Sequence, residues 1–136
     1  MQGDWYLLVI DRFDRAPEIW QKAAGLAGLS AGVTVVSDPE AAEPLLLRGG
    51  YDLVFCSYYF PAETGTQFFS RMRAQGVQTP VIFIATEMDT KGVLEAAAMP
   101  MADFLVSPFA PDSLHRHITL LLGSTDAPPA PPQEPA

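Results

Sequence analysis

The sequence predicts an α/β fold in which one parallel β-sheet lies between two layers of helices, and two observations support this class. Five short runs rich in apolar, strand-forming residues recur along the chain, and the central one, Leu53–Cys56, is unbroken rather than alternating with polar residues, which is typical of a strand covered on both faces. A segment with helical spacing of apolar residues follows each run, as crossover connections between parallel strands require. With 136 residues, 49% of them hydrophobic, the chain has the length of one domain.

The third predicted strand organises the rest of the chain. It lies in the segment YDLVFCSYYFP, residues 51–61, where an apolar run ends at Ser57. Open α/β sheets place their ligands beyond the carboxyl ends of the strands, so we expect Ser57 to lie at the functional edge. The five predicted strands are Trp5–Ile10, Val33–Val36, Asp52–Ser57, Val81–Ala85 and Phe104–Val106.

The first two predicted helices begin at short capping sequences. Asp14 is the expected N-cap of the first, with Pro17 in its first turn. Asp38-Pro39 opens the second helix, which reaches Arg48. The predicted inward face of the first helix consists of Ile19, Ala23, Leu26 and Ala27.

Three further helices complete the pattern. One covers Gly65–Gln75; the next is capped by Asp89 or Thr90 and ends at Pro100; the last covers Asp112–Leu122. The predicted inward residues are Phe68, Phe69 and Met72 in the first of these helices, and Leu114, Ile118, Leu121 and Leu122 in the last.

Composition excludes several function classes. The net charge of −8 argues against nucleic acid as a ligand, and no apolar segment is long enough to span a bilayer, so we expect a cytoplasmic protein. Cys56, the one cysteine, is expected to be a buried core residue. Residues 124–136, STDAPPAPPQEPA, are predicted to form an extended tail or linker after a domain of residues 1–123.

The motifs of the chain resemble those of the receiver domain of two-component response regulators, over about residues 4–123. The motifs are LLVID in the first strand, YDLVFCSYYFP with Gly65 four residues after Pro61, TPVIFIA in the fourth strand, and ADFLVSPFAPDSL in the fifth strand and last helix. The resemblance implies a flavodoxin-like, doubly wound sheet with strand order 2-1-3-4-5. It also implies a cis peptide bond between Ser107 and Pro108.

In that family an acidic pair and an aspartate hold a magnesium ion, the aspartate accepts a phosphoryl group, and a hydroxyl and a lysine bind the phosphoryl oxygens. The corresponding residues here are Asp11 and Arg12 for the acidic pair, Ser57 for the acceptor, Ala85 for the hydroxyl with Thr86 one residue late, and Ser107 for the lysine. The resemblance therefore implies a vestigial phosphorylation pocket, with no metal, no cofactor and no enzymatic activity.

Two questions about this pocket follow from physical chemistry. Arg12 either folds inward, pairing with Asp11 at the metal position, or points to solvent; Asp11 alternatively serves as a capping or loop carboxylate. Ser57 needs a neighbouring base to act as a nucleophile. The histidines, His115 and His117, lie too far along the last helix to supply one, so Ser57 is interpreted as a small neutral filler.

Receivers contact partners through the fourth helix, the fifth strand and the fifth helix, and an aromatic residue of the fifth strand reports the state of the site. By resemblance this aromatic is Phe104, which lacks a hydroxyl and is expected to pack inward. The candidate partner surface includes Lys91, Leu94, Met99 and His115, in a region rich in apolar residues. The alternatives for the partner are another protein and a second copy of the chain.

The leading hypothesis is a pseudo-receiver, a phosphorylation-independent module for protein interaction. The alternative is a small-ligand-binding or enzymatic domain that uses the crevice at the carboxyl edge of the sheet. A glycine-rich phosphate-binding turn is absent from the sequence, which argues against nucleotides and flavins. A third hypothesis, a phospho-switch with Thr86 or Asp14 as acceptor, lacks a second acid and a lysine to hold the transferred group.

Overall fold

The computed structural model describes residues 5–122 apart from residues 14, 27 and 29. Their central feature is a five-stranded parallel sheet in the order β2-β1-β3-β4-β5. The predicted fold class and strand order are therefore confirmed. The strands are β1 (Trp5–Ile10), β2 (Ala31–Val36), β3 (Leu53–Ser57), β4 (Val81–Ala85) and β5 (Ala102–Val106).

The two edge strands begin two residues earlier than their apolar runs suggested. Ala31 of β2 pairs with Trp5, and Ala102 of β5 pairs with Val81, so each edge strand follows its neighbour from that neighbour's first residue. Both alanines are only half-buried. Backbone pairing therefore extends the strand beyond the residues that the core requires to be strongly apolar.

Five helices connect and follow the strands. They are α1 (Pro17–Leu26), α2 (Pro39–Arg48), α3 (Gly65–Ala74), α4 (Thr90–Ala97) and α5 (Pro111–Leu122). Asp38 caps α2 and Asp89 caps α4, each through its carboxylate and a backbone N–H of the first turn. The predicted N-cap at Asp14 lies outside the described residues, as does the tail at residues 124–136.

The predicted inward face of α1 is wrong. Trp20 and Ala24 are its buried residues, whereas Ile19 is 55% exposed and Leu26 is 62% exposed. The indole of Trp20 stacks on the ring of Phe55 with 5.6 Å between centroids, and burying this large aromatic surface fixes the rotation of the helix. Ala23 is half-buried, and Ala27 lies outside the described residues.

The core is divided by the sheet into two apolar clusters. One lies between the sheet and helices α2, α3 and α4, and includes Phe68, Phe69 and Met72 as predicted. The other lies under α1 and α5, and includes Leu114 and Ile118, also as predicted. Leu121 and Leu122 are half-buried and pack against the second cluster.

Helix α4 is shorter at its C-terminal end than predicted. The helix ends at Ala97, and Met99 and Pro100 belong to the following turn, where Met101 adopts a positive φ of 55°. The cis peptide bond predicted between Ser107 and Pro108 is present.

Candidate functional site

The carboxyl ends of the strands bring the predicted pocket residues together. The backbone N–H of Arg12, after β1, donates to Oγ of Ser57 at the end of β3 at 3.2 Å. The N–H of Ser107, after β5, donates to the carbonyl of Ala85 at 2.7 Å. These residues, with Thr86, surround a cavity of about 240 Å³.

Asp11, the residue after β1, is buried beside this site, with 1% of its surface exposed. Its carboxylate accepts hydrogen bonds from the backbone N–H groups of Phe13 at 2.9 Å and Arg15 at 3.2 Å. It also accepts from Nη1 of Arg15 at 3.1 and 3.2 Å and from Nε1 of Trp20 at 3.2 Å. The negative charge is therefore compensated by a guanidinium, and both carboxylate oxygens are occupied by donors.

Arg15, and not Arg12, forms the ion pair with Asp11. The side chain of Arg12 is exposed, and its Cζ lies 5.0 Å from the centroid of the Phe13 ring, a cation–π contact. The inward pairing of Arg12 with Asp11 is therefore wrong; Arg15, four residues after Asp11, makes that ion pair. Asp11 does hold the loop after β1, as the alternative interpretation expected, through its backbone acceptor bonds.

The residues present do not fit a magnesium site of the receiver type. Magnesium needs a near-octahedral set of oxygen ligands, usually anchored by carboxylates. Here the carboxylate of Asp11 faces a guanidinium, and the side chains at the second acid and acceptor positions are Arg12 and Ser57. Within the described residues, no group of three or more His, Cys, Asp or Glu side chains could hold a metal ion.

Ser57 lacks a histidine base within reach. Nδ1 of His117 pairs with the carboxylate of Asp103, near the amino end of β5 and away from the pocket. His115 is exposed on α5. The structure thus agrees with the expectation that neither histidine reaches Ser57.

Tyr58, the first residue after β3, links the end of that strand to α4. It is only 2% exposed, and its hydroxyl donates to Oε1 of Glu95 at 3.0 Å. The hydroxyl of Thr66 on α3 donates to the same oxygen at 3.1 Å. Burial, followed by the neighbouring Glu95 carboxylate, raises the pKa of Tyr58 to about 12, so the neutral donor form is favoured.

Phe104 packs against Tyr58 in an edge-to-face arrangement with 5.3 Å between ring centroids. It is 9% exposed. Gly92 on α4 fits closely over both rings, since a Cβ there would lie 2.8 Å from Cε2 of Phe104 and 2.8 Å from Cζ of Tyr58. Tyr59 donates its hydroxyl to Asp89, which also caps α4. These contacts fasten the start of α4 to β3 and β5.

The candidate partner residues differ in exposure. Lys91, Leu94 and His115 are exposed, with Leu94 at 64%, whereas Met99 is half-buried. Among the helices of the described residues, none combines the length and the apolar character needed to cross a bilayer.

Comparison with known proteins identifies relatives of the chain. The model of the response regulator receiver domain family matches residues 7–119. The transcriptional regulatory protein DltR of Streptococcus agalactiae is 29% identical over 114 residues, which make up 84% of this chain and 50% of DltR. BasR of Escherichia coli, also a transcriptional regulatory protein, is 31% identical over 87 residues, 64% of this chain and 39% of BasR. The chain thus spans half or less of the length of these relatives.

Solved structures share the same fold at lower sequence identity. A putative response regulator from Chloroflexus aurantiacus has a TM-score of 0.73 and 20% identity, covering 89% of this chain and 99% of its own. The receiver domain of the Francisella response regulator 1452 has a TM-score of 0.71 and 24% identity, covering 87% and 96%. The likeness supports the flavodoxin-like arrangement of strands and helices described above.

Proposed function

The chain belongs to the family of response regulator receiver domains, and we propose that within two-component signalling it acts as a pseudo-receiver, a protein-interaction module that works without phosphorylation. The observation that carries this proposal is the state of Asp11. Its carboxylate is buried, paired with Arg15 and bonded to Trp20, so the acid of the family's metal site is engaged within the protein.

Phosphoryl transfer to this pocket would lack the metal ion, the carboxylate acceptor and the positive charge that the family uses. A divalent cation would have to displace the guanidinium of Arg15 from Asp11, or lie beside it at a repulsive distance. A carboxylate acceptor is replaced by Ser57, whose hydroxyl has no nearby histidine to remove its proton. Ser107 offers no positive charge to the transferred group. For the same reasons we regard the domain as non-enzymatic.

The contacts of Tyr58 support a fixed output surface. Its hydrogen bond to Glu95 and its packing on Phe104 and Gly92 fasten α4 in one position. A partner protein, or a second copy of the chain, would therefore bind a surface of α4, β5 and α5 whose shape does not depend on phosphorylation. Lys91, Leu94, Met99 and His115 are the residues proposed to meet it.

The organisation around the domain is also part of the proposal. We assign residues 1–123 to the receiver-like domain and residues 124–136 to a proline-rich tail or linker. The assignment to the cytoplasm rests on the receiver family, and direct binding of nucleic acid by this domain is disfavoured by its net charge of −8.

Incubation with acetyl phosphate and magnesium, followed by intact-mass measurement, tests the proposal. The expected result is an unchanged mass under conditions that phosphorylate an ordinary receiver in a parallel reaction. Stoichiometric gain of one phosphoryl group that depends on magnesium would overturn it. A Ser57→Ala variant, treated in the same way, shows whether any adduct lies on Ser57.

A further inference from the structure

We infer that the cavity at the carboxyl edge of the sheet is a binding site for a small organic anion, a carboxylate or phosphomonoester attached to an apolar body. The inference goes beyond the interaction function and does not depend on it. The cavity has a volume of about 240 Å³. This is more than a single inorganic ion fills and less than a drug-sized ligand needs.

Two arginines contribute positive charge to the lining of this cavity. Arg12 and Arg15 both line it, and their Cζ atoms lie 5.0 and 4.8 Å from the centroid of the same Phe13 ring. Arg15 is neutralised by Asp11, but Arg12 has no carboxylate within 4.0 Å among the described residues. None of the described lining residues carries a carboxylate. Arg12 also borders a second pocket that Asp38, Glu40 and Glu63 line, but none of these carboxylates forms an ion pair with it. Its guanidinium is therefore available for an anion.

Hydroxyl groups line the cavity beside this charge. Ser57, Thr86 and Ser107 come from the ends of three different strands and all border the same space. Their spacing is set by backbone hydrogen bonds across the sheet edge, from Ser107 to Ala85 and from Tyr58 to Ile84. Hydroxyls can donate to anionic oxygens, so a carboxylate or phosphate group at this edge would find several donors.

An apolar wall also borders the cavity and favours an organic over an inorganic anion. It is formed by Ile19, Trp20, Ala23, Ile84 and Phe109. Ile19 is 55% exposed, so covering it with an apolar ligand body would remove surface from water and favour binding. Inorganic phosphate would use the arginine and the hydroxyls but leave this wall uncovered.

Titration of the ¹⁵N-labelled full chain with benzoate and phenyl phosphate tests the inference, with inorganic phosphate and benzyl alcohol as comparison probes. We expect saturable shifts of the backbone amides of Arg12, Ser57, Thr86 and Ser107 with the two organic anions. Inorganic phosphate should bind at least about tenfold more weakly, and benzyl alcohol should produce no saturable shift. Absence of saturation with both organic anions up to about 20 mM, a range that detects millimolar affinity, would overturn the inference.

Matched variants separate a built site from general charge effects. Arg12→Gln should weaken benzoate binding about tenfold or more. Arg48→Gln, an equal charge change at the C-terminal end of α2, should leave benzoate binding unchanged. Ala23→Phe should abolish binding by filling the cavity, while circular dichroism confirms that the fold persists. Equal effects of the two arginine variants, or undiminished binding to Ala23→Phe, would contradict the assignment.

Discussion

Nη1 of Arg15 lies 3.1 Å from Oδ1 and 3.2 Å from Oδ2 of Asp11. The side chain of Asp11 is fully buried, while that of Arg15 is 40% exposed. The ion pair therefore lies at the border between core and solvent, with the carboxylate on the inner side. This position makes Arg15 a structural partner of Asp11 and leaves the neighbouring Arg12 on the surface.

Arg15→Gln should lower the free energy of unfolding by about 1–3 kcal/mol, because it removes the charge partner of a buried carboxylate. The partial exposure of Arg15 keeps this below the cost expected for a fully buried pair. Urea denaturation measures the change. Arg12→Gln is the matched control and should stay within about 0.5 kcal/mol of the wild type; equal losses in the two variants would show that the pairing is misassigned.

Gly92→Ala should destabilise the protein by about 1–3 kcal/mol, because the added methyl group would overlap the rings of Phe104 and Tyr58. Gly25→Ala in α1 provides the control, since a Cβ there meets nothing within 4 Å. Its replacement should be neutral or stabilise by up to about 1 kcal/mol through helix propensity. Thermal unfolding of both variants distinguishes the two, and a Gly92→Ala protein as stable as Gly25→Ala would refute the close packing.

Tyr58→Phe should reduce the loss of stability at alkaline pH. The pKa of Tyr58 is raised to about 12 in the folded protein from an ordinary value near 10. Deprotonation therefore begins in the unfolded chain first, and stability is lost as the pH rises from about 10 to 12. Urea denaturation at several alkaline pH values should show a shallower decline for the variant than for the wild type. An identical decline would indicate that Tyr58 does not contribute.

At neutral pH the same Tyr58→Phe change should cost about 1 kcal/mol, the net value of one hydrogen bond. Glu95 keeps its bond from Thr66 in the variant, which limits the penalty. Tyr59→Phe is a useful comparison. Tyr59 is exposed, so the loss of its hydrogen bond to Asp89 should cost less.

Ser57→Asp should not make the domain phosphorylatable. The new carboxylate would lie near Asp11, but Asp11 would still be held by Arg15. Position 85 would still lack a hydroxyl, and position 107 would still lack a positively charged side chain. Treatment with acetyl phosphate and magnesium should leave the intact mass unchanged. A phosphoryl adduct on Ser57→Asp that is missing from Ser57→Ala would show that the remaining pocket is competent.

The fold was largely predictable because each strand contains a short apolar run and the helix caps are local. The third strand ends at Ser57, and Asp38 and Asp89 begin their helices, as the sequence indicated. The inward face of α1 was not predictable from spacing alone. Its rotation is set by contacts of Trp20 with Phe55, on the distant strand β3, and with Asp11, in the loop after β1.

The candidate site was predictable in position but not in its internal pairing. The ends of the strands bring Ser57, Ala85 and Ser107 together as expected. Arg15 was missed because its pairing with Asp11 depends on how the loop after β1 turns back, although the separation of four residues was a signal. The link from Tyr58 to α4 was not predictable, because it depends on Glu95 and Phe104, far along the chain.

The indole N–H of Trp20 offers the most direct test of the central claim that Asp11 is closed to magnesium. Because Nε1 of Trp20 donates to Oδ2 of Asp11 at 3.2 Å, its ¹H–¹⁵N resonance reports on that carboxylate, and the indole of Trp5, the other tryptophan, serves as an internal reference. Titration with magnesium chloride to about 20 mM, well above millimolar affinity, should leave the Trp20 indole resonance in place. A saturable shift of Trp20 without a shift of Trp5 would contradict the account.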